Sequence, residues 1–273
     1  MSIFQWAQNP WGQPILVRIS WDLFWIALAI GIVFVIGHLV WRTRHKEALA
    51  VDVPPAKAAK IPDRIVRHSF GSRFFHWSMS LAVFALLITG FFPVLGIQFD
   101  WVTIHWIAGL LLIGTVIFHI VHATLWLRLR DIWVGSADWK EFRQSMANAL
   151  GSAPPPPKPG KYPVEQRLFH HMVSLASFGV ILTGLLMMSR VENPIFTRNP
   201  YLLEDTTWGW VYALHGLSAV GLVTMIIAHV YFAVLPEKRW MTMSMIAGWI
   251  TKKDYLAHHD PDRWVVTEQP KNP

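Results

Sequence analysis

No cysteine occurs among the 273 residues, so any redox or metal centre must be held by the 13 histidines or 10 methionines. That absence excludes disulfides, thiolate-held iron–sulfur clusters and the C-x-x-C-H attachment of a c-type haem. The clearest ligand spacing belongs to His215 and His229, fourteen residues apart in Tyr212–Leu235, YALHGLSAVGLVTMIIAHVYFAVL. Fourteen residues of α-helix rise about 21 Å and complete almost four turns. Both imidazoles therefore leave the same side of one helix, at two depths. The stretch is apolar enough to span a bilayer, where an ionisable side chain is costly and marks a functional position that needs a partner.

The elements that must supply the partners are also membrane spans. More than half of the residues are apolar, with 16 Trp and 16 Phe, as expected where aromatic belts meet the interfaces. Runs of about 20 apolar residues occur at Trp21–Trp41, Phe74–Leu95, Val102–Leu127, His170–Ser189 and Trp208–Leu235. The first is too long for a signal peptide and lacks a small-residue cleavage site, so it reads as a retained helix. The net charge of +7 is not a nucleic-acid footprint. Lys and Arg concentrate in 42–73, 128–167 and 238–273, while only Arg18, Arg190 and Arg198 fall on the other side. The positive-inside rule then predicts an outer N-terminus, outer loops at 92–101 and 190–207, and a cytoplasmic C-terminus. Asp22, Asp100, Glu192, Glu204 and Asp205 leave the outer face mildly acidic.

Between the spans, residues 1–20 (with NPWGQP) read as an outer-surface segment, and Arg42–Asp63 as a polar linker without a core of its own. The 128–167 loop holds an amphipathic piece, ADWKEFRQSMANAL, and then APPPPKPGKYP, a semi-rigid extended spacer. The tail from Pro236 reads as polar and cytoplasmic, with Trp240–Ile250 on the surface. An internal repeat is visible. RFFHW…LITGFF in the second span matches RLFHH…ILTGLL in the fourth, and His105 to His119 repeats the spacing of His215 to His229. Spans two–three and four–five therefore read as two parallel copies of one helical hairpin.

Sorting the histidines by depth leaves His105 and His215 as the transmembrane histidines at the outer level, so they must pair. The inner level holds His38, His76, His119, His122, His170, His171 and His229. His229 is the natural member of an inner pair, with His76, His119 or His170 as its partner. His45, His68, His171, His258 and His259 read as interfacial residues, and His38 and His122 as helix-end packing. Bare zinc would want four ligands, whereas haem iron needs only two axial imidazoles. Gly109, Gly114, Gly216, Ala219 and Gly221 would let a flat macrocycle approach. Arg67, Arg73 and Arg167 stand where haem carboxylates could use them. A histidine-lined transporter is the rival from another class, but it would want acidic residues in the spans, and the central portions of spans two to five have none.

RFFHW, TIHWIAG, GKYPVEQR, LHGLSAVGLVTMIIAHVY and GWITKKDYLAHHDPDRW, in this order over about residues 64–265, resemble the di-haem cytochrome b (γ) subunit of respiratory formate dehydrogenase. Related subunits serve other molybdopterin oxidoreductases and nickel–iron hydrogenases. The resemblance implies an all-α integral membrane protein: a four-helix di-haem cytochrome b bundle of two repeated hairpins over 64–235, with one extra N-terminal transmembrane helix within 1–63 and a cytoplasmic tail over 236–273. It implies two haem b groups, with His76 and His229 on the inner iron and His105 and His215 on the outer, His119 and His170 being the alternative inner ligands. It implies menaquinone or ubiquinone as the acceptor near the inner haem, with Tyr162, Gln166 and Arg73 as candidate quinone or carboxylate contacts. Pro163 and Glu165 depart from the Asn and Gly usual there. The implied partners are an iron–sulfur subunit and a molybdopterin (Mo/W) catalytic subunit on the outer face of a bacterial inner membrane. This chain carries no catalytic residue of its own.

Overall fold

Five long apolar stretches, free of mid-span charge, fold as helices because a bilayer leaves backbone polar groups no partner but their own helix. In a computed structural model describing residues 2–44 and 54–266, those helices are α1 (Asp22–Arg44), α3 (Phe70–Phe91), α4 (Trp101–Trp126), α6 (Val164–Met188) and α7 (Asp205–Val234), each long and apolar enough to cross a membrane. Shorter elements punctuate them: strands β1 (Phe4–Gln8) and β2 (Pro14–Ile19), helix α2 (Pro55–Ala59), strand β3 (Arg64–Val66), helices α5 (Ser136–Ala149) and α8 (Arg239–Ala247), strand β4 (Trp249–Thr251) and helix α9 (Lys252–His258). The chain is an all-α integral membrane protein with two small two-stranded antiparallel sheets added. Helix α6 starts six residues before the expected span, because Pro163 precedes its first turn and polar Glu165–Arg167 extend it beyond the apolar run. The interfacial reading of His45, and parts of the linker and tail readings (45–53 and 267–273), lie outside the described residues.

The described residues form two compact units. The first holds residues up to Arg42 with Phe75–Phe118 and Val173–Tyr231. Its N-terminal part is more than a surface segment. β1 and β2 pair antiparallel, with Phe4 opposite Ile19, around a turn in which Asn9 Oδ1 accepts from the amides of Trp11 and Gln13. Leu16 and Ile19 are buried against α7, together with Ala213. The approach is close: a Cβ on Gly209 would lie 2.1 Å from the Leu16 carbonyl oxygen, so only glycine admits the hairpin there. Further along, α1 lies on α7 through Gly31 against Ile227, a bond from Thr224 Oγ1 to the Ala27 carbonyl (3.3 Å), and His38 Nδ1 with Tyr231 Oη (2.7 Å). His38 is thus a packing residue.

The second unit joins Thr43–Phe74, His119–Met172 and Phe232 onward. Here two expectations fail. The linker and the tail do have a core, built from Ile61, Ile65, Ile250, Tyr255, Leu256 and Trp264. β3 pairs antiparallel with β4, placing Ile65 opposite Ile250, so Ile250 is buried rather than on the surface. Gly248 makes the turn between α8 and β4 at φ +90°, and its carbonyl accepts from the amides of Arg67 and His68.

His259, expected at an interface, is 1% exposed. Its Nδ1 donates to the Gly160 carbonyl (2.7 Å), and its Nε2 accepts from Arg67 Nη1 (2.9 Å). The Arg67 guanidinium also lies over the rings of Tyr162, Trp240 and Trp264 at 5.7, 5.1 and 5.9 Å, a favourable place for a weakly hydrated planar cation. The proline spacer is tied to the same cap, since Lys158 Nζ donates to the Leu256 carbonyl and Asp260 N to the Pro159 carbonyl.

Candidate functional site

Helix α7 carries two histidines because its backbone repeat puts residues fourteen apart on one side, and each of them meets a histidine from another helix. The ring centres of His215 and His105 are 6.3 Å apart, with planes at 63°. Those of His229 and His76 are 6.1 Å apart, at 49°. His119 and His170, the other candidates for the partner of His229, face each other instead, at 6.2 Å and 58°. Two trans metal–nitrogen bonds of about 2 Å, plus about 1.1 Å from each nitrogen to its ring centre, give roughly 6.2 Å. All three pairs match that separation, which is too long for a hydrogen-bonded or stacked imidazole pair.

The His105–His215 pair is held by a matched device in each repeat. Thr89 Oγ1 donates to the Ala85 carbonyl (2.7 Å) and Thr183 Oγ1 to the Gly179 carbonyl (2.5 Å), one turn back on their own helices. With their hydrogens committed, the two hydroxyls accept from His105 Nδ1 (2.8 Å) and His215 Nδ1 (2.9 Å). That assigns the proton to Nδ1 and leaves Nε2 as the lone-pair donor for a metal, the usual outer-shell arrangement of a ligating histidine. The next residues, Gly90 and Gly184, let the rings lie flat against the helix: a Cβ there would stand 3.6 and 3.5 Å from the Cε1 atoms of His105 and His215. A cleft of about 330 Å³, lined by Ile19, Met187, Tyr212 and Gly216 among others, opens beside His215. Nδ1 of His76 and Nδ1 of His170 are buried with no hydrogen-bond partner among the described residues. Buried imidazole nitrogens in facing pairs fit a haem iron and its two axial ligands. Among the described residues, no group of three or more His, Cys, Asp or Glu is gathered as a bare metal would need. Thr89→Val and Thr183→Val should each weaken haem retention by about 10–100-fold, measured as haem loss to apomyoglobin, with folding unchanged.

Sequence reasoning missed the role of both threonines, although the Thr-Gly pair of each repeat marked the place. It also offered three arginines equally. Arg167 is committed to Asp138 (2.6 Å) and the Trp133 carbonyl (2.9 Å), and Arg67 to His259, whereas Arg73 uses Nη1 on the Ile246 carbonyl (2.7 Å). Gln166 Nε2 donates to Met241 Sδ (2.9 Å), and Tyr162 lies beside Arg67, with burial pushing its hydroxyl pKa up. His122 packs on Gly71 and stacks with Trp126; His171 Nδ1 bonds the Arg167 carbonyl; His258 stacks on Trp240. Of the small residues expected beside a macrocycle, Gly216 meets Ile19 of the N-terminal hairpin instead, while a Cβ built on Gly109, Gly114 or Gly221 meets nothing within 4 Å among the described residues beyond its own helix.

Membrane-spanning helices with histidines paired across them define a membrane cytochrome b, and the chain belongs to the prokaryotic cytochrome b561 family, whose profile matches residues 67–248. The hairpin and α1 precede that match. Among curated relatives, the chain is 25% identical over 223 residues to the cytochrome b556 subunit of formate dehydrogenase from Haemophilus influenzae, covering 75% of this chain and 84% of that one. It is 24% identical over 143 residues to the cytochrome b556(Fdn) subunit of the nitrate-inducible formate dehydrogenase of Escherichia coli, covering 45% of this chain and 63% of that one. As a cytochrome b of this family, the chain carries haem b.

Proposed function

We propose that this chain is the membrane-anchor cytochrome b subunit of a formate dehydrogenase complex in a bacterial inner membrane. In this reading it carries electrons from an iron–sulfur partner on the outer face, through two b haems, to a quinone near the cytoplasmic face. The observation that carries the reading is the double pairing along α7, His215 with His105 and His229 with His76, at 6.3 and 6.1 Å. The names of the two relatives supply the complex. The charge distribution supplies the direction, with the N-terminus and the acidic loops outside and the basic segments within.

Haem iron held by two imidazoles would supply one-electron redox chemistry. The chain's own residues do the rest. His105 and His215 hold the outer group, with Nδ1 protons fixed by Thr89 and Thr183. His76 and His229 hold the inner one. Tyr162, whose hydroxyl pKa burial raises, and Gln166 and Arg73 are the candidate contacts to a quinone carbonyl or a haem carboxylate. Proton uptake by the quinone inside, with proton release by substrate oxidation outside, makes the cycle electrogenic. Each charge moved works against about 2.3 kcal/mol per 100 mV.

Membranes holding the chain with its partners should show b-type haem reduction on adding formate, and reoxidation on adding a water-soluble quinone. Haem that dithionite reduces but formate does not would overturn the formate assignment. Reduction by hydrogen in its place would move the chain to a hydrogenase complex.

A further inference from the structure

The third histidine pair is not used by a two-haem electron path, and the internal repeat explains why it exists. In the repeat, His76 corresponds to His170 (RFFH and RLFH), and each is followed thirteen residues later by the Thr-Gly pair. His105 corresponds to His215, and His119 to His229. Exchanging the two copies therefore sends the His105–His215 pair onto itself and the His76–His229 pair onto His170–His119. The geometry follows that correspondence. The rings of His119 and His170 stand 6.2 Å apart at 58°, against 6.1 Å and 49° for His76 and His229. Among the described residues, Nδ1 is buried without a hydrogen-bond partner in His170 as in His76. Edge-to-face packing can reach this separation; what marks the site is its recurrence in two histidine pairs at positions that correspond in the repeat.

We propose that His119 and His170 are the axial ligands of a further b-type haem, so that the chain carries three. The site is of the same chemical class as the other two: two neutral imidazoles in an apolar span, which suits a metal whose remaining four positions are filled by a macrocycle. The proposal goes beyond the two-haem path and shares with it only the rule that facing imidazoles at this separation take haem iron.

The test is the haem-to-polypeptide ratio of the purified full chain, from pyridine haemochrome absorbance and amino-acid analysis, together with low-temperature electron paramagnetic resonance of the oxidised protein. Wild-type protein should hold three haems, and His119→Ala and His170→Ala should each hold two, with the same low-spin signal missing from both. If wild type holds two haems and both variants keep two, this site is overturned and the two-haem reading stands. If wild type holds two and each variant holds one, the third haem is overturned, and His119 and His170 take the inner position in place of His76 and His229. Protein with no haem overturns both. Should the alanine variants fail to accumulate, His119→Met and His170→Met retain a competent axial ligand. A new His–Met charge-transfer band in the near infrared would support the site, and spectra identical to wild type would overturn it.

Discussion

His215→Ala should cost the protein one haem equivalent, and His105→Ala the same one. Either change removes an axial nitrogen and leaves the opposite imidazole as a single ligand to a centre that needs two. It also strands a hydroxyl. Thr183 or Thr89 keeps its bond to its own helix but loses the Nδ1–H it accepts, and a buried acceptor left without its donor costs about 1–3 kcal/mol. Because both substitutions empty one site, their effects should not add: the double variant should lack the same single equivalent as either alone, which is the signature of residues acting as one unit. Added imidazole, small enough for the space left by the ring, should restore part of the absorbance in His215→Ala. Retention of full haem content by either variant would remove the pair from the site.

His259→Ala should loosen the folded cap made by the linker, the proline spacer and the tail. Arg67 is 2% exposed, and burial lowers its pKa to about 10 while leaving it charged near neutrality. Taking away the Nε2 that accepts from it leaves a buried cation with, among the described residues, aromatic faces for partners, an imbalance of about 3–5 kcal/mol. The same contact fixes a pH dependence. Burial, and next the charge of Arg67, push the His259 pKa from 6.5 down to about 3. The unfolded cap therefore binds a proton that the folded cap refuses. The stabilisation is complete above pH 6.5 and falls as pH drops from there toward 3, by at most about 1.4 kcal/mol per pH unit. Hydrogen exchange over residues 248–266 between pH 7 and 4 should show faster opening in acid for wild type. A flatter profile from a less stable start is expected for His259→Ala, and His259→Gln should recover part of the loss. Parallel profiles in wild type and His259→Ala would exclude this histidine as the titrating group.

The two sites differ in how far their residues announced them. The spans were legible because hydropathy over about 20 residues is a long-range average that no tertiary detail overrides. His105 and His215 were legible as partners because no other transmembrane histidine shared their depth. The partner of His229 was not, since His76, His119 and His170 share its level and only the rotation of each helix separates them. The role of Thr89 and Thr183 was hidden because a threonine in an apolar helix ordinarily bonds its own backbone; both do so and serve the histidine as well. The cap escaped notice because its core comes from isolated apolar residues in polar stretches nearly two hundred positions apart, such as Ile65 and Ile250, with too few in either strand to show a period. The N-terminal hairpin carried a turn signal in NPWGQP, but its strands are short and mostly exposed.

The direction of two hydrogen bonds bears on what a change of charge between His105 and His215 would do to their protons. At His105 and His215 the ring proton rests on a hydroxyl whose own hydrogen is already given to a helix carbonyl. With each ring proton held on Nδ1 by that hydroxyl, neither imidazole would change its proton count when the charge between them changes. A centre held there would be a wire without a tap at its own two ligands. Coupling between electron flow and proton flow would then fall to groups other than these two histidines.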